Sequence, residues 1–220
     1  MNTIQSKVAI IGLGNIGRAI ATNLTQGNHP VILASSTPDK AQQLANSLGD
    51  LATAQEITAA INTADIIIPA IYFDKLKEFL TTFAQELQGK IVIDVSNPIA
   101  PDGKGGFIKT IGQNESAGKI LSQLAPQNAT LVKAFGTLGA ASLTKAAFNK
   151  PDRKVLFYAS DSTKSNKQIE TLIYDSGFTA LNIGGIEQAI RIEVFGDLHE
   201  FGALGQTVTL DEAQAKVQQV

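Results

Sequence analysis

Short apolar runs alternate along this chain with stretches of helical period. Residues 7–12 (KVAIIG), 30–35 (PVILAS), 64–71 (ADIIIPAI) and 90–96 (KIVIDVS) are apolar almost throughout, the pattern of strands buried on both faces. Between them, IGRAIATNLTQG (16–27) reads as a helix ending at Gly27. TPDKAQQLANSLG (37–49) reads as a second helix, with Thr37 as N-cap, Pro38 at its first position and Gly49 at its end. FDKLKEFLTTFAQEL (73–87) predicts a third. Buried strands joined by helices predict a parallel sheet covered on both sides.

The pattern then breaks. Residues 97–115 (NPIAPDGKGGFIKTIGQNE) are polar and rich in glycine, with Gly103, Gly105 and Gly106 arguing against regular structure, and read as a binding loop or lid. A helix over 116–124, a strand over 129–135 and a second glycine turn, GTLGA, follow. Beyond residue 150 the alternation resumes with a strand (155–159), a helix (164–176), a strand (178–183) and a helix (186–201). In that last helix Ile186, Ile190, Val194, Leu198 and Phe201 form an apolar stripe. Glu193, Asp197 and Glu200 share another side, expected to be solvated. The expected organisation is a dinucleotide-binding domain over 1–150 and a small βαβα extension over 151–220 that completes the pocket for a substrate or second cofactor.

The first helix opens inside G-x-G-x-x-G, formed by Gly12, Gly14 and Gly17 directly after a strand. In that context the motif is the phosphate cradle of a Rossmann-type doubly wound α/β sheet. Gly12 permits the tight turn, Gly14 the approach of a pyrophosphate, and Gly17 the packing of helix on strand. The alternative is a glycine turn that binds nothing.

An acid usually ends the second strand of such a fold and holds the adenine ribose of NAD. Here Ser35, Ser36 and Thr37 stand in that region, with Lys40 one turn into the helix. Hydroxyls and a lysine suit a 2′-phosphate, so NADP is the expected ligand, although Asp39 is an acid on the same turn and Lys40 also fits a solvated helix position. The nicotinamide end belongs at the carboxyl ends of the central strands, where small or turn residues (Ala70, Ala134, Gly136 and the Asn97-Pro98 pair) would line its pocket.

Composition removes several alternatives. The 220 residues are 44% hydrophobic and 17% charged, enough for a globular core, and a net charge of −2 offers no footprint for nucleic acid or a membrane surface. Cysteine is absent, which excludes disulfides, thiolate metal sites and cysteine nucleophiles. MNTIQSK has no signal-like apolar segment, and no apolar run approaches the ~20 residues of a membrane helix, so a cytoplasmic protein is expected. His29, in a turn, is expected to be solvated, and His199 is a weak acid/base candidate. Tyr72 and Lys75 miss the Tyr-x-x-x-Lys spacing, and nothing resembles a metal cluster. No catalytic side chain stands out, which fits hydride transfer between two rings held face to face.

IGLGNIGRAIATNL, ILASSTPDKAQQLA, VIDVSNPI, LVKAFGTLGA and FGALG, in that order, give the chain a resemblance to the NADPH-dependent F420 reductase family. KAFGTLGA is close to the KAFNT-G signature common there and in the related reductase domain of ferric-reducing membrane proteins. The resemblance implies an amino-terminal Rossmann domain, a small carboxy-terminal extension and a homodimer. It implies NADP(H) contacts at Leu13, Asn15 and Ile16, with the 2′-phosphate near Ser35, Ser36 and Lys40. It also implies a deazaflavin F420 or flavin-like acceptor beside the nicotinamide, near Asn97, Pro98 and residues 134–138, with FGALG closing the pocket; Ala70 and Ile71, at the end of the strand over 64–71, are expected to line the cofactor on the strand-end argument above. The family often has Ser-Arg after the second strand. Ser35-Ser36 here lacks that arginine and its forked phosphate contact.

Two other readings remain open on sequence alone. A β-hydroxyacid dehydrogenase or imine reductase, acting on a small carbonyl or imine, starts with a similar glycine turn but continues into a long helical domain. A non-catalytic NADP-binding redox sensor also tolerates a pocket without an acid or base.

Overall fold

The strands are β1 (Val8–Ile11), β2 (Val31–Ala34), β3 (Ala52–Ala54), β4 (Ile66–Pro69), β5 (Ile91–Asp94), β6 (Ile99–Pro101), β7 (Phe107–Lys109), β8 (Thr130–Lys133), β9 (Val155–Ser160) and β10 (Thr179–Asn182). The helices are α1 (Asn15–Gln26), α2 (Pro38–Leu48), α3 (Ile57–Thr63), α4 (Phe73–Thr82), α5 (Ala117–Leu124), α6 (Ala140–Ala146), α7 (Asn166–Asp175) and α8 (Leu210–Val217). In this computed structural model, which describes residues 5–218, eight strands form one sheet in the order β10-β9-β8-β5-β4-β1-β2-β3. Pairing is parallel throughout except between β8 and β9. This is the expected Rossmann-type α/β sheet. Residues 155–182 extend it beyond β8.

The apolar runs become strands because both faces are covered. Along β1, Val8 and Ile10 enter one core cluster while Ala9 and Ile11 enter the other, the period-2 alternation of a pleated strand. β2 and β4 divide in the same way. Each fully buried isoleucine contributes about 1.5–3 kcal/mol. Asn23, buried in α1, donates Nδ2 to the Leu143 carbonyl at 2.9 Å and ties α1 to α6.

β1 is flanked by β2 on one side and β4 on the other, so strand order reverses there. That reversal opens a crevice outside the carboxyl ends of β1 and β4, where doubly wound sheets bind ligands.

The structure departs from the sequence reading in two segments. Residues 97–115 are not irregular throughout, because β6 and β7 pair as an antiparallel hairpin. Asp102 holds its tip, accepting from the amides of Lys104 (2.7 Å) and Gly106 (2.9 Å), bonds that keep its carboxyl below the usual range. Residues 186–201 are not one α-helix. Ile186–Ile192 is a 3₁₀ segment burying Ile186, Ala189 and Ile192, a period of three that passes for a helical stripe over short lengths. The chain then doubles back, the Leu198 amide donating to the Arg191 carbonyl at 2.8 Å and leaving Phe201 57% exposed.

Glu193 and His29 also differ from expectation. Glu193 is 1% exposed and accepts from Ser116 Oγ (2.8 Å) and from the amides of Ala117 (3.0 Å) and Gly118 (2.9 Å), capping α5. A carboxylate is drawn inward there because the first turn of a helix offers unpaired N–H groups and a positive dipole end. His29 is 2% exposed rather than solvated, with Nε2 3.0 Å from the Ser6 carbonyl and Nδ1 2.8 Å from Asp175. β3, α3, α6 and α8 were not anticipated. No helix among the described residues is long and apolar enough to cross a membrane. Residues 1–4 of the amino-terminal stretch lie outside the described residues.

Candidate functional site: the crevice beyond β1, β4, β5 and β8

The three motif glycines sit in different surroundings. Gly12 has φ of 95°, and a side chain there would meet the Ala70 carbonyl oxygen at 2.7 Å and Ile71 Cγ2 at 2.8 Å. A side chain on Gly17 would strike the carbonyl of Gly12. Gly14, by contrast, faces open space, with nothing within 4 Å of where a Cβ would stand. The first bond of α1 runs from the Arg18 amide to the Gly14 carbonyl at 2.9 Å, and the amides of Asn15, Ile16 and Gly17 have no protein acceptor among the described residues. An open cradle with unpaired amides at the positive end of a twelve-residue helix fits a diphosphate. Leu13, 8% exposed, belongs to the core beneath the turn.

Ser35 is half-buried at the end of β2, and Ser36, Thr37 and Lys40 are exposed beside it. Thr37 holds the N-cap position of α2, but its hydroxyl makes no capping bond. Ser35 Oγ accepts from the Thr37 amide at 3.2 Å. This corner therefore offers hydroxyls and one ammonium, with Asp39 as the neighbouring acid.

At β4 the chain leaves Ala70 and Ile71 half-buried against the glycine turn. At β5, Asn97 uses both ends of its amide: Nδ2 donates to the Gly136 carbonyl (3.0 Å) and Oδ1 accepts from the Val194 amide (2.8 Å). Pro98 is buried beside it. Ala134 has no exposed surface and belongs to the core rather than to an open wall.

Below this edge lies a buried ion pair that the sequence reading missed. Asp94 and Lys133 are register partners on β5 and β8, both fully buried. Lys133 Nζ donates to Asp94 Oδ2 at 2.8 Å and to the Ser96 carbonyl. The other carboxylate oxygen accepts from the Ser96 amide and hydroxyl, each at 2.7 Å. The available signal was one charge of opposite sign in each of two apolar strands, VIDVS and LVKAF.

Above the pair, the turn after β8 is strained. Phe135 has φ of 61° and is 1% exposed, a conformation that costs a non-glycine residue about 1–3 kcal/mol. Thr137 Oγ1 is buried without a partner among the described residues, a further cost of about 1–3 kcal/mol. Gly136 lies close enough to Val95 that a side chain would meet the Val95 carbonyl oxygen at 2.9 Å.

His199 reaches the same turn from the carboxy-terminal segment. Its Nδ1 accepts from the Phe201 amide at 2.9 Å, which leaves Nε2 to carry the proton and donate to the Gly136 carbonyl, also at 2.9 Å. Burial, reinforced by the nearby Lys133 charge and opposed by the Gly136 bond, pushes its pKa down to about 4. The Gly139 amide donates to Glu200 Oε1. The FGALG segment, residues 201–205, therefore begins beside the 136–139 turn.

A cavity of about 510 Å³ is lined by Lys109, Ile111, Arg191, Val194, Phe195 and Asp197, among others. It adjoins Asn97 through the Val194 amide. A larger one, about 640 Å³ near Phe148 and Arg153, shares no lining residue with the glycine turn.

The fold and this crevice are those of a Rossmann-type dinucleotide-binding protein. Residues 7–98 match the family described as NADP oxidoreductase, coenzyme F420-dependent. Over 187 residues, 85% of the chain, the sequence is 28% identical to Metalloreductase STEAP3 of Rattus norvegicus, of which it spans only 36%. A hypothetical protein from Sinorhizobium meliloti superposes with a TM-score of 0.81 at 28% identity, covering 93% of this chain and 96% of that one. A provisionally assigned F420-dependent NADP-reductase from Arthrobacter sp. FB24 gives a TM-score of 0.71 at 19% identity, over 84% of this chain and 87% of that one. At that identity it shows the fold alone.

Proposed function

We propose that this chain moves a hydride between NADP(H) and a flat redox acceptor of the F420 or flavin type. The observation that carries the reading is the contrast among the three glycines, two closed by packing and Gly14 open beside unpaired amides. Gly12, Leu13, Gly14, Asn15, Ile16 and Gly17 form the pyrophosphate turn. Ser35, Ser36, Thr37 and Lys40 take the 2′-phosphate. Ala70, Ile71, Asn97 and Pro98 flank the nicotinamide. Ala134 supports this wall from within. The bound dinucleotide supplies the hydride chemistry.

The protein's own contribution is to hold two rings in register and keep water from between them. Lys133 and His199, the buried basic side chains at this edge, are both engaged with protein groups and are not free to protonate a carbonyl. That supports a flat acceptor, which takes hydride without a protein acid, over a small carbonyl.

Fluorescence titration with NADPH and NADH tests the site. NADPH should bind more tightly, because no acid at the end of β2 repels its 2′-phosphate. Tighter NADH binding, or no binding of either, overturns the reading. NADPH oxidation should then be assayed with F420, FMN, FAD and quinones. Ferric chelates belong in the panel because one relative is named a metalloreductase.

A further inference from the structure

Residues 134–139 form a turn that is costly to keep and firmly held. A buried phenylalanine at φ 61° and a buried hydroxyl without a partner among the described residues both oppose it. Against them, the Gly136 carbonyl accepts two donors, Asn97 Nδ2 from the end of β5 and His199 Nε2 from the carboxy-terminal segment. Strain of this kind persists where the surroundings over-determine the backbone, and it clusters at functional sites.

We propose that His199 is a positioning residue, whose bond to the Gly136 carbonyl fixes the strained, buried Phe135–Gly136 turn that backs the Asn97 side of the wall on which the nicotinamide ring lies. The inference rests on the reading that NADP(H) occupies the crevice beyond β1, β4, β5 and β8. It gives His199 a role other than proton donor. The ring works as a two-ended strut, taking a hydrogen bond from Phe201 and giving one to Gly136. The strut joins residues 63 apart in sequence, so the carboxy-terminal segment sets the shape of the nicotinamide wall.

Two variants separate positioning from bulk stability. His199→Phe keeps a flat ring but neither donates nor accepts. His199→Gln keeps an amide N–H able to reach the Gly136 carbonyl. The phosphate cradle is untouched, so His199→Phe should bind NADPH with unchanged affinity. Its bound nicotinamide should be more mobile, seen as lower fluorescence anisotropy at saturation. Turnover with the best acceptor should fall about 100-fold, the cost of a misplacement near 1 Å, with KM for NADPH little changed. His199→Gln should recover most of both losses.

Wild-type anisotropy and turnover in His199→Phe would overturn the inference while leaving the cofactor reading intact. So would a His199→Gln protein as impaired as His199→Phe. Failure of the wild type to bind NADPH overturns both. Hydrogen–deuterium exchange on the wild type provides a test independent of how the variants fold. NADPH should slow exchange in residues 134–139 and 199–203 together with residues 12–17. Protection confined to 12–17 and 35–40 counts against the proposal.

Discussion

The turn after β1 and the turn after β8 both carry glycines, yet they treat their polar groups in opposite ways. The first leaves the amides of Asn15, Ile16 and Gly17 without protein acceptors and opens Gly14 to solvent. The second saturates the Gly136 carbonyl with two side-chain donors and ties the Gly139 amide to Glu200. Unpaired amides at a helix end invite an anion. Saturated groups fix a shape and invite nothing. The first turn should therefore govern affinity and the second geometry, and mutations in the two should separate binding from turnover and stability.

The largest effect belongs beneath the second turn. Lys133→Met leaves the Asp94 carboxylate buried and unpaired, which should cost about 3–5 kcal/mol in urea unfolding. Pairing it with Asp94→Asn removes that charge and keeps an acceptor for Ser96, so the double variant should regain at least half the loss. Equal instability of single and double variants would mean that the pair is no more than packing.

A pH series probes the same region. The His199 pKa falls from its ordinary 6.5 to about 4 in the fold, chiefly through burial. The unfolded chain therefore takes up a proton at this residue between those two values while the folded chain does not. Its stabilising contribution is complete above about pH 6.5 and is lost as pH falls toward about 4, a change on the order of 3 kcal/mol. His199→Gln has no such proton, so the difference between its stability and that of the wild type should change across this window. A difference that stays constant from pH 4 to 6.5 would show that His199 is not held neutral.

The contrast between the turns also marks what the sequence makes legible. Gly12, Gly14 and Gly17, with the strand before and the helix after, are local, and their geometry follows from a few consecutive residues. Ser35 to Lys40 is readable for the same reason. The clamp on the second turn joins residues 39 and 63 apart, and the Glu193 cap on α5 spans 77. No periodicity reports such pairs. Of the three acids after residue 192, Glu193 is the buried one, and it reads as solvated only when an α-helix is drawn where a 3₁₀ segment and a reversal stand. The hairpin at 99–109 was hidden by glycines with positive φ at its tip, Gly103 and Gly105, which terminate pairing there without preventing it on either side. Asp94 and Lys133 were in plain view as charges in apolar strands, but their partnership depends on β5 lying next to β8.

Within the first turn, two single-carbon additions should behave differently. Gly17→Ala places a methyl group against the Gly12 carbonyl and must push α1 off the sheet, costing about 1–3 kcal/mol of stability as well as binding. Gly14→Ala meets nothing within 4 Å, so its unfolding midpoint should match the wild type while NADPH affinity drops. Calorimetric unfolding and NADPH titration on both proteins give the comparison. A Gly14→Ala protein that binds NADPH normally would show that no ligand approaches that face of the turn.

The smallest predicted effect lies at the proposed 2′-phosphate corner. Lys40 is exposed on the first turn of α2, close in sequence to the hydroxyls of Ser35, Ser36 and Thr37. A solvated ammonium near a phosphate is worth about 1 kcal/mol, so Lys40→Ala should weaken NADPH about fivefold. NADH, which lacks that phosphate, should be unaffected. The effect should shrink with added salt, since exposed charge pairs are screened. Asp39 lies one residue away and opposes the same phosphate, so Asp39→Asn should shift NADPH in the opposite direction and again spare NADH. If Lys40→Ala weakens both dinucleotides alike, the lysine serves the helix rather than the ligand. The preference for NADPH would then rest on the hydroxyls of Ser35, Ser36 and Thr37 alone.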